Sequence, residues 1–186
     1  MYRIFLILTG LGLGQFANAA TYVFPGELVD IPTIGPANPS FVYVEGVEGT
    51  ISNISIKFNG LEHRYGRETM IALSNPDGWA TLIWDAPHCK FSDIDVLIAD
   101  NAALSLEDNC KSGQSLESGP YLPGYSNAGH QFTIPIAPVR PLFHTMSELL
   151  LPNMNGRWIL WVEDFSSGDG GEITSWEIIV ETEKEP

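Results

Sequence analysis

The chain has 186 residues, with 9 Lys and Arg against 23 Asp and Glu, and a formal net charge of −14. Hydrophobic residues make up 44% and charged ones 17%, so the chain carries enough apolar matter for a core and is not a disordered acidic tail. The scarcity of cations excludes nucleic acid as a partner and disfavours an anionic membrane surface, while the length suits one domain.

In chain order, Arg3 precedes an apolar run from Ile4 to Leu13, and Ala17-Asn18-Ala19 follows. That order reads as a secretory signal peptide over 1–19, cleaved after Ala19, and predicts a secreted or periplasmic protein. The run is shorter than the roughly 20 apolar residues a membrane span needs, so no span is expected after cleavage. Residues 20–43 hold Pro25, Pro32, Pro36 and Pro39, which exclude regular helix and predict an extended strap.

β-type segments follow at Phe41 to Val44, Ile51 to Phe58, Thr69 to Leu73 and Trp79 to Trp84. Asn75-Pro76-Asp77-Gly78 is a turn between the last two, with Pro setting φ and Gly taking positive φ. Further strands are predicted at Phe132 to Ile136, Arg157 to Val162 and Ile173 to Val180; Pro135 makes the first of these an edge. Short helical turns are predicted at Asn101 to Glu107 and Met146 to Leu151, and a long surface loop at Asn109 to Gly129. Many short strands between Gly, Pro and Asn turns predict an all-β fold, a jelly-roll-like sandwich of about eight strands over 44–182 with an acidic tail at 183–186.

Cys89 and Cys110 are the two cysteines. An oxidising destination makes a disulfide the first reading; a free thiol pair or metal ligands is the other, and CxxC spacing for zinc is missing. His63 is expected to bond locally, to Glu68 or to strand-end backbone, and Tyr65 to be a strand-end aromatic with its hydroxyl at the surface. Four isolated His residues (63, 88, 130 and 144) supply no paired spacing for a hydrolytic metal, and no Gly-x-Ser-x-Gly or His-Glu-x-x-His segment occurs. Trp158, Leu160 and Val162 share one strand face as core, leaving Trp161 on the other. Trp161 and Trp79 are the candidates for stacking on sugars. Acidic residues gather in two loops, around Asp93, Asp95 and Asp100 and around Asp164 and Asp169. Such turns can supply Ca²⁺ with oxygens, so one Ca²⁺ on some of Asp95, Asp100, Asp164 and Asp169 is expected; a solvated acidic loop is the alternative.

Three segments carry a resemblance. His63-Arg64-Tyr65-Gly66-Arg67-Glu68 runs on through Ile71-Ala72-Leu73 to Pro76-Asp77-Gly78. A weaker segment spans Asp95 to Ala103. Asn155-Gly156-Arg157-Trp158-Ile159-Leu160-Trp161-Val162-Glu163-Asp164 leads to Gly168-Asp169-Gly170-Gly171-Glu172-Ile173 and Trp176. Together they resemble the P domain (P/Homo B domain) that accompanies the subtilisin-like catalytic domain of proprotein convertases and of bacterial secreted proteases. Glu68 and Thr69 stand where that pattern has Asp and Leu. The resemblance makes His63, Tyr65, Glu68, Pro76, Gly78, Gly156, Trp158, Asp164, Gly171 and Trp176 structural motif residues. It implies a non-catalytic accessory module that stabilises and regulates a serine protease, with a secreted protease or another exported protein as partner, and Ca²⁺ in some members. No Gly-Thr-Ser-x-Ala nucleophile segment occurs, so no catalytic residue is expected. A carbohydrate-binding or cell-surface jelly-roll module is the other function the fold class admits.

Overall fold

The protein is described by a computed structural model over residues 20–133, 137–138, 142–150 and 154–183. The signal-peptide segment 1–19 and residues 184–186 of the acidic tail lie outside the described residues, as do Ile134 to Ile136 of one predicted strand.

The described residues form twelve strands: β1 (Ala20–Gly26), β2 (Val29–Ile31), β3 (Gly35–Pro36), β4 (Ser40–Val44), β5 (Thr50–His63), β6 (Thr69–Ser74), β7 (Ala80–Asp85), β8 (Phe91–Ile98), β9 (Gly119–Tyr121), β10 (Tyr125–Ser126), β11 (Gly156–Asp164) and β12 (Gly171–Glu183). One sheet runs β1-β12-β5-β8-β9, with β2 also on β12; the other runs β10-β7-β6-β11-β3, with β4 also on β11. Pairing is antiparallel except β8 with β9 and β10 with β7, so the fold is an all-β sandwich of two mixed sheets.

The count exceeds about eight for two reasons. The Pro-rich strap is extended as expected, but its pieces enter the ladders: β1 and β2 border β12 while β3 and β4 border β11. Proline is tolerated in such edge positions because the missing N–H faces away from the ladder. The loop expected over Asn109 to Gly129 contributes β9 and β10. β8 matches no predicted strand. Its alternation is broken by a bulge, with register shifts opposite Leu61 and Asp93 at a φ of 54°, so the period of two is lost. The helical turns are short: α1 (Leu106–Asn109), capped by the Ser105 hydroxyl accepting the Asp108 amide at 3.1 Å, and a 3₁₀ turn at Ser147–Leu149. Phe132 and Thr133 are not in a strand; they belong to a segment lying over the second sheet.

The two inner faces meet in one core that includes Ile56, Phe58, Trp84, Phe91, Trp158, Leu160, Trp176 and Ile178. Phe58 meets Trp84 edge-on at 5.6 Å, and Trp84 meets Phe91 at 5.1 Å. Each buried indole N–H has an acceptor: Trp84 on the Thr69 hydroxyl, Trp158 on the Met154 carbonyl, Trp161 on the Ser74 hydroxyl and Trp176 on the Ser40 hydroxyl. Satisfying these donors lets four large rings be buried without an orphaned polar group.

Cys89 and Cys110 form a disulfide that ties the β7–β8 connection to the end of α1. It closes a loop 21 residues long. In the chain-entropy picture, replacing both cysteines by serine is expected to lower the unfolding free energy by roughly 3 kcal/mol, measured by urea titration. No helix among the described residues is long and apolar enough to cross a membrane.

Candidate functional site

The residues singled out in the sequence converge where β5, β11 and β12 end or begin. His63 is the last residue of β5 and pairs with Gly171, the first of β12. Asp164 is the last residue of β11, in the opposite sheet. Their side chains meet between the sheets: His63 Nε2 lies 2.9 Å from Asp164 Oδ2, and neither side chain is exposed. The Tyr65 amide donates to His63 Nδ1 at 3.2 Å, which places the ring proton on Nε2 and makes the imidazole the donor to the carboxylate. The Ser166 amide donates to the other oxygen of Asp164 at 2.8 Å.

The Tyr65 amide is the local strand-end backbone bond expected of His63, while the Glu68 alternative is not formed: the carboxylate that His63 meets is 101 residues away. Glu68 instead faces Arg67 at 3.8 Å, while its carbonyl accepts the Phe165 amide at 2.7 Å. Gly171 sits so close to β5 that a Cβ on it would lie 2.0 Å from the Glu62 carbonyl oxygen. At the other end of β11, Gly156 has a φ of 137° and packs on Pro76. Pro76 and Gly78 form the expected turn, closed by the Gly78 amide on the Asn75 carbonyl at 3.0 Å. Two motif segments distant in sequence thus touch at both ends of β11.

The four carboxylates expected to share Ca²⁺ are not gathered. Asp164 is bonded as above. Asp95, on β8, accepts the Gly60 amide of the β5 bulge at 3.0 Å. Asp100 accepts the Met146 and Ser147 amides at 2.7 and 2.8 Å and so caps the 3₁₀ turn. Asp169 has one buried oxygen without a partner among the described residues. Among the described residues no group of three or more His, Cys, Asp or Glu side chains could hold a metal ion. A Ca²⁺ ion needs six to eight oxygens, so this donor set does not fit one. Melting midpoints in calcium and in chelator are therefore expected to coincide. Asp100→Ala is expected to cost about 1–2 kcal/mol through loss of its capping bonds, read in a thermal melt.

Beside Asp100, Glu148 accepts from the Thr145 hydroxyl and from the Thr145 and His144 amides. The Thr145 hydroxyl bond, with both amides and the nearby His144, holds its carboxyl below the ordinary glutamate value despite some opposing desolvation. Its contribution to stability is complete at neutral pH and is lost as pH falls through that lowered pKa.

A second polar cluster fastens the segment that follows β10 to the outer face of the second sheet. Asp85, wholly buried, accepts the His130 amide at 3.0 Å and meets His130 Nδ1 at 2.6 Å. The His130 ring stacks on Phe165, with centroids 4.2 Å apart. Glu163, also buried, accepts the Thr133 amide at 2.8 Å and the Thr133 hydroxyl at 2.6 Å. Under this segment Met70, Ala72, Ala80, Leu82 and Leu142 form a small satellite core. The cover buries Trp161, which is 3% exposed, so Trp161 offers no face to a sugar. Trp79 remains 57% exposed and stacks on Phe143. Asp85 and His130 carried no sequence signal as a pair, because 45 positions separate them along the chain. Glu163 stood out only as a neighbour of the acidic turn.

No protein-family model matches the chain, and no curated protein matches it. Among solved structures it is similar to a chain in the crystal structure of the Aeromonas sobria serine protease (ASP) and chaperone (ORF2) complex. The TM-score is 0.43 and the identity 11%, over 89% of this chain. The chain spans 27% of the length of that neighbour. A likeness at this level says nothing of function.

Proposed function

We propose that the chain is a non-catalytic, exported accessory module of the P-domain type, which docks on a serine protease and slows its inactivation. The observation that carries this reading is the convergence of the two motif segments. His63, Gly171 and Asp164 meet at one end of β11, and Pro76 and Gly156 at the other. Trp158 and Trp176 lie in the core between them. Every one of these residues fastens the sandwich, which is how a motif that specifies a module, and not a reaction, would be used. The disulfide suits an oxidising compartment.

The test is co-expression with the subtilisin-type proteases of the same secretome. Co-elution with one of them, and slower loss of its activity on heating, are expected. Separate elution of all of them with unchanged inactivation rates would overturn the reading.

Glycan binding is a second reading, favoured by exposed aromatic rings besides Trp79, the expected candidate that stays exposed. Phe41 and Tyr43 on β4 are 50% and 56% exposed, and Arg157 lies over Phe41 at 5.7 Å. Exposed rings of this kind stack on pyranose faces. A glycan array that stays silent removes this reading.

A further inference from the structure

The chain is strongly acidic, yet four of its nine Lys and Arg residues fall on three segments that meet at one corner. Arg64 and Arg67 follow β5, Lys90 precedes β8, and Lys111 follows α1. A cleft of about 140 Å³ opens there, lined by Tyr65, Arg67, His88, Lys90, Ser112 and Gly113 beside the disulfide. A second cleft adjoins it and shares Lys90; Arg64 lines it on one side, and Glu62 and Glu172 on another.

The corner is held in place by backbone bonds. The Gly66 amide donates to the Cys89 carbonyl at 2.9 Å. The Lys90 amide donates to the Gln114 carbonyl at 2.8 Å, and the Leu116 amide to the Lys90 carbonyl at 2.9 Å. The disulfide anchors the third segment to the second. The guanidinium carbons of Arg64 and Arg67 lie 5.2 and 5.4 Å from the Tyr65 ring centroid, which limits where those charges can go.

Counter-charges at ion-pair distance from these cations are few among the described residues. Among the described residues, the one carboxylate within ion-pair distance of any of them is Glu68, 3.8 Å from Arg67. Among the described residues, Lys111 reaches the Glu107 carbonyl, at 3.3 Å. The Asn127 amide meets His88 Nε2 at 2.6 Å, which leaves His88 Nδ1–H as a donor. Like charges crowded on tied segments repel one another, and a bound anion relieves that repulsion.

We propose that this cleft binds a tetrahedral oxyanion, the sulfate or phosphate group of a small molecule. Arg67 and Lys90 supply the charge, and His88 and Ser112 supply neutral donors. A cleft of about 140 Å³ has room for one oxyanion head. The donors come from three segments, which suits oxygens disposed around a tetrahedron better than the two coplanar oxygens of a carboxylate.

Isothermal titration of the full chain tests this, with inorganic sulfate, inorganic phosphate, galactose 6-sulfate and glucose 6-phosphate, at ionic strength held constant with chloride. Saturable binding of at least one inorganic anion is expected, and the two sugar esters distinguish a sulfated from a phosphorylated source. The double variant Arg67→Gln, Lys90→Gln should bind roughly a hundredfold more weakly, since each lost charge-assisted bond is worth about tenfold. Arg157→Gln, on the other sheet, should bind as the parent does. In the unaltered protein, the amide resonances of Cys89 and Gly113 should move on addition of sulfate while that of Arg157 stays. Heats no greater than chloride gives, undiminished binding by the double variant, or stronger binding of a glutamate oligopeptide than of either inorganic anion would overturn the proposal.

Discussion

Asp164→Ala is expected to lower the unfolding free energy by about 3–5 kcal/mol, the range for breaking a buried, hydrogen-bonded charged group out of its pair. The substitution removes three things at once. His63 Nε2–H loses its acceptor in a place where neither side chain reaches water. The Ser166 amide loses its acceptor at the turn between β11 and β12. The link between the sheets at the end of the core disappears, because His63 belongs to one sheet and Asp164 to the other. Asp164→Asn keeps the shape but only one of the two acceptor oxygens, setting its NH2 against either His63 Nε2–H or the Ser166 amide, so it should also destabilise, by less than the alanine variant. Equilibrium urea unfolding of both variants measures the difference. The result also bears on function. If His63 were a catalytic base held by Asp164, the alanine variant would lose an activity while its stability changed little; a fastening role predicts the reverse. Equal stability of Asp164→Ala and the unaltered protein would remove the structural account of the motif.

Readability of the fold in the sequence followed how local each signal is. β11 and β12 were legible because each is a short run of aromatic and β-branched residues bounded by Gly turns, with Trp158, Leu160 and Val162, and later Trp176, Ile178 and Val180, at alternate positions facing one core. The Asn75–Gly78 turn was legible because its bonds run within four residues. β8 was not, since the bulge at Asp93 shifts Phe91 out of phase with Ile94, Val96 and Ile98. The site divides the same way. Cys89 and Cys110 could be paired because only one pairing exists between two cysteines. The partner of His63 could not be named, because nothing near His63 in sequence distinguishes Asp164 from the other acids. The calcium expectation rested on carboxylates near one another along the chain. The sandwich instead sends Asp95 to a bulge, Asp100 to a 3₁₀ turn and Asp164 to the core, each answering an unsatisfied N–H.

Trp176→Ala is expected to cost about 4 kcal/mol, within the range for truncating a wholly buried Trp. Area alone would not single out Trp176 from Trp158, which is equally buried. Its position does. Trp176 lies opposite Gly26 on β1 and Phe58 on β5, so its ring stands beneath the N-terminal strap. Gly26 is required there because a Cβ would come within 2.3 Å of the indole. The indole N–H reaches the hydroxyl of Ser40, the first residue of β4, at 2.9 Å, so one side chain braces a strap strand in each sheet. Truncation should leave the Ser40 hydroxyl and the β1 backbone without their backing, and hydrogen exchange across β1 and β4 should rise before exchange in β5 and β6 does. Trp79→Ala, at an exposed ring stacked only on Phe143, should shift stability by a few tenths of a kcal/mol at most. Comparable losses for the two variants would mean that burial in the sandwich does not set the role of its tryptophans. A large loss at Trp176 alone, with β1 and β4 released first, would make the Pro-rich strap an integral edge of the module and not a detachable leader.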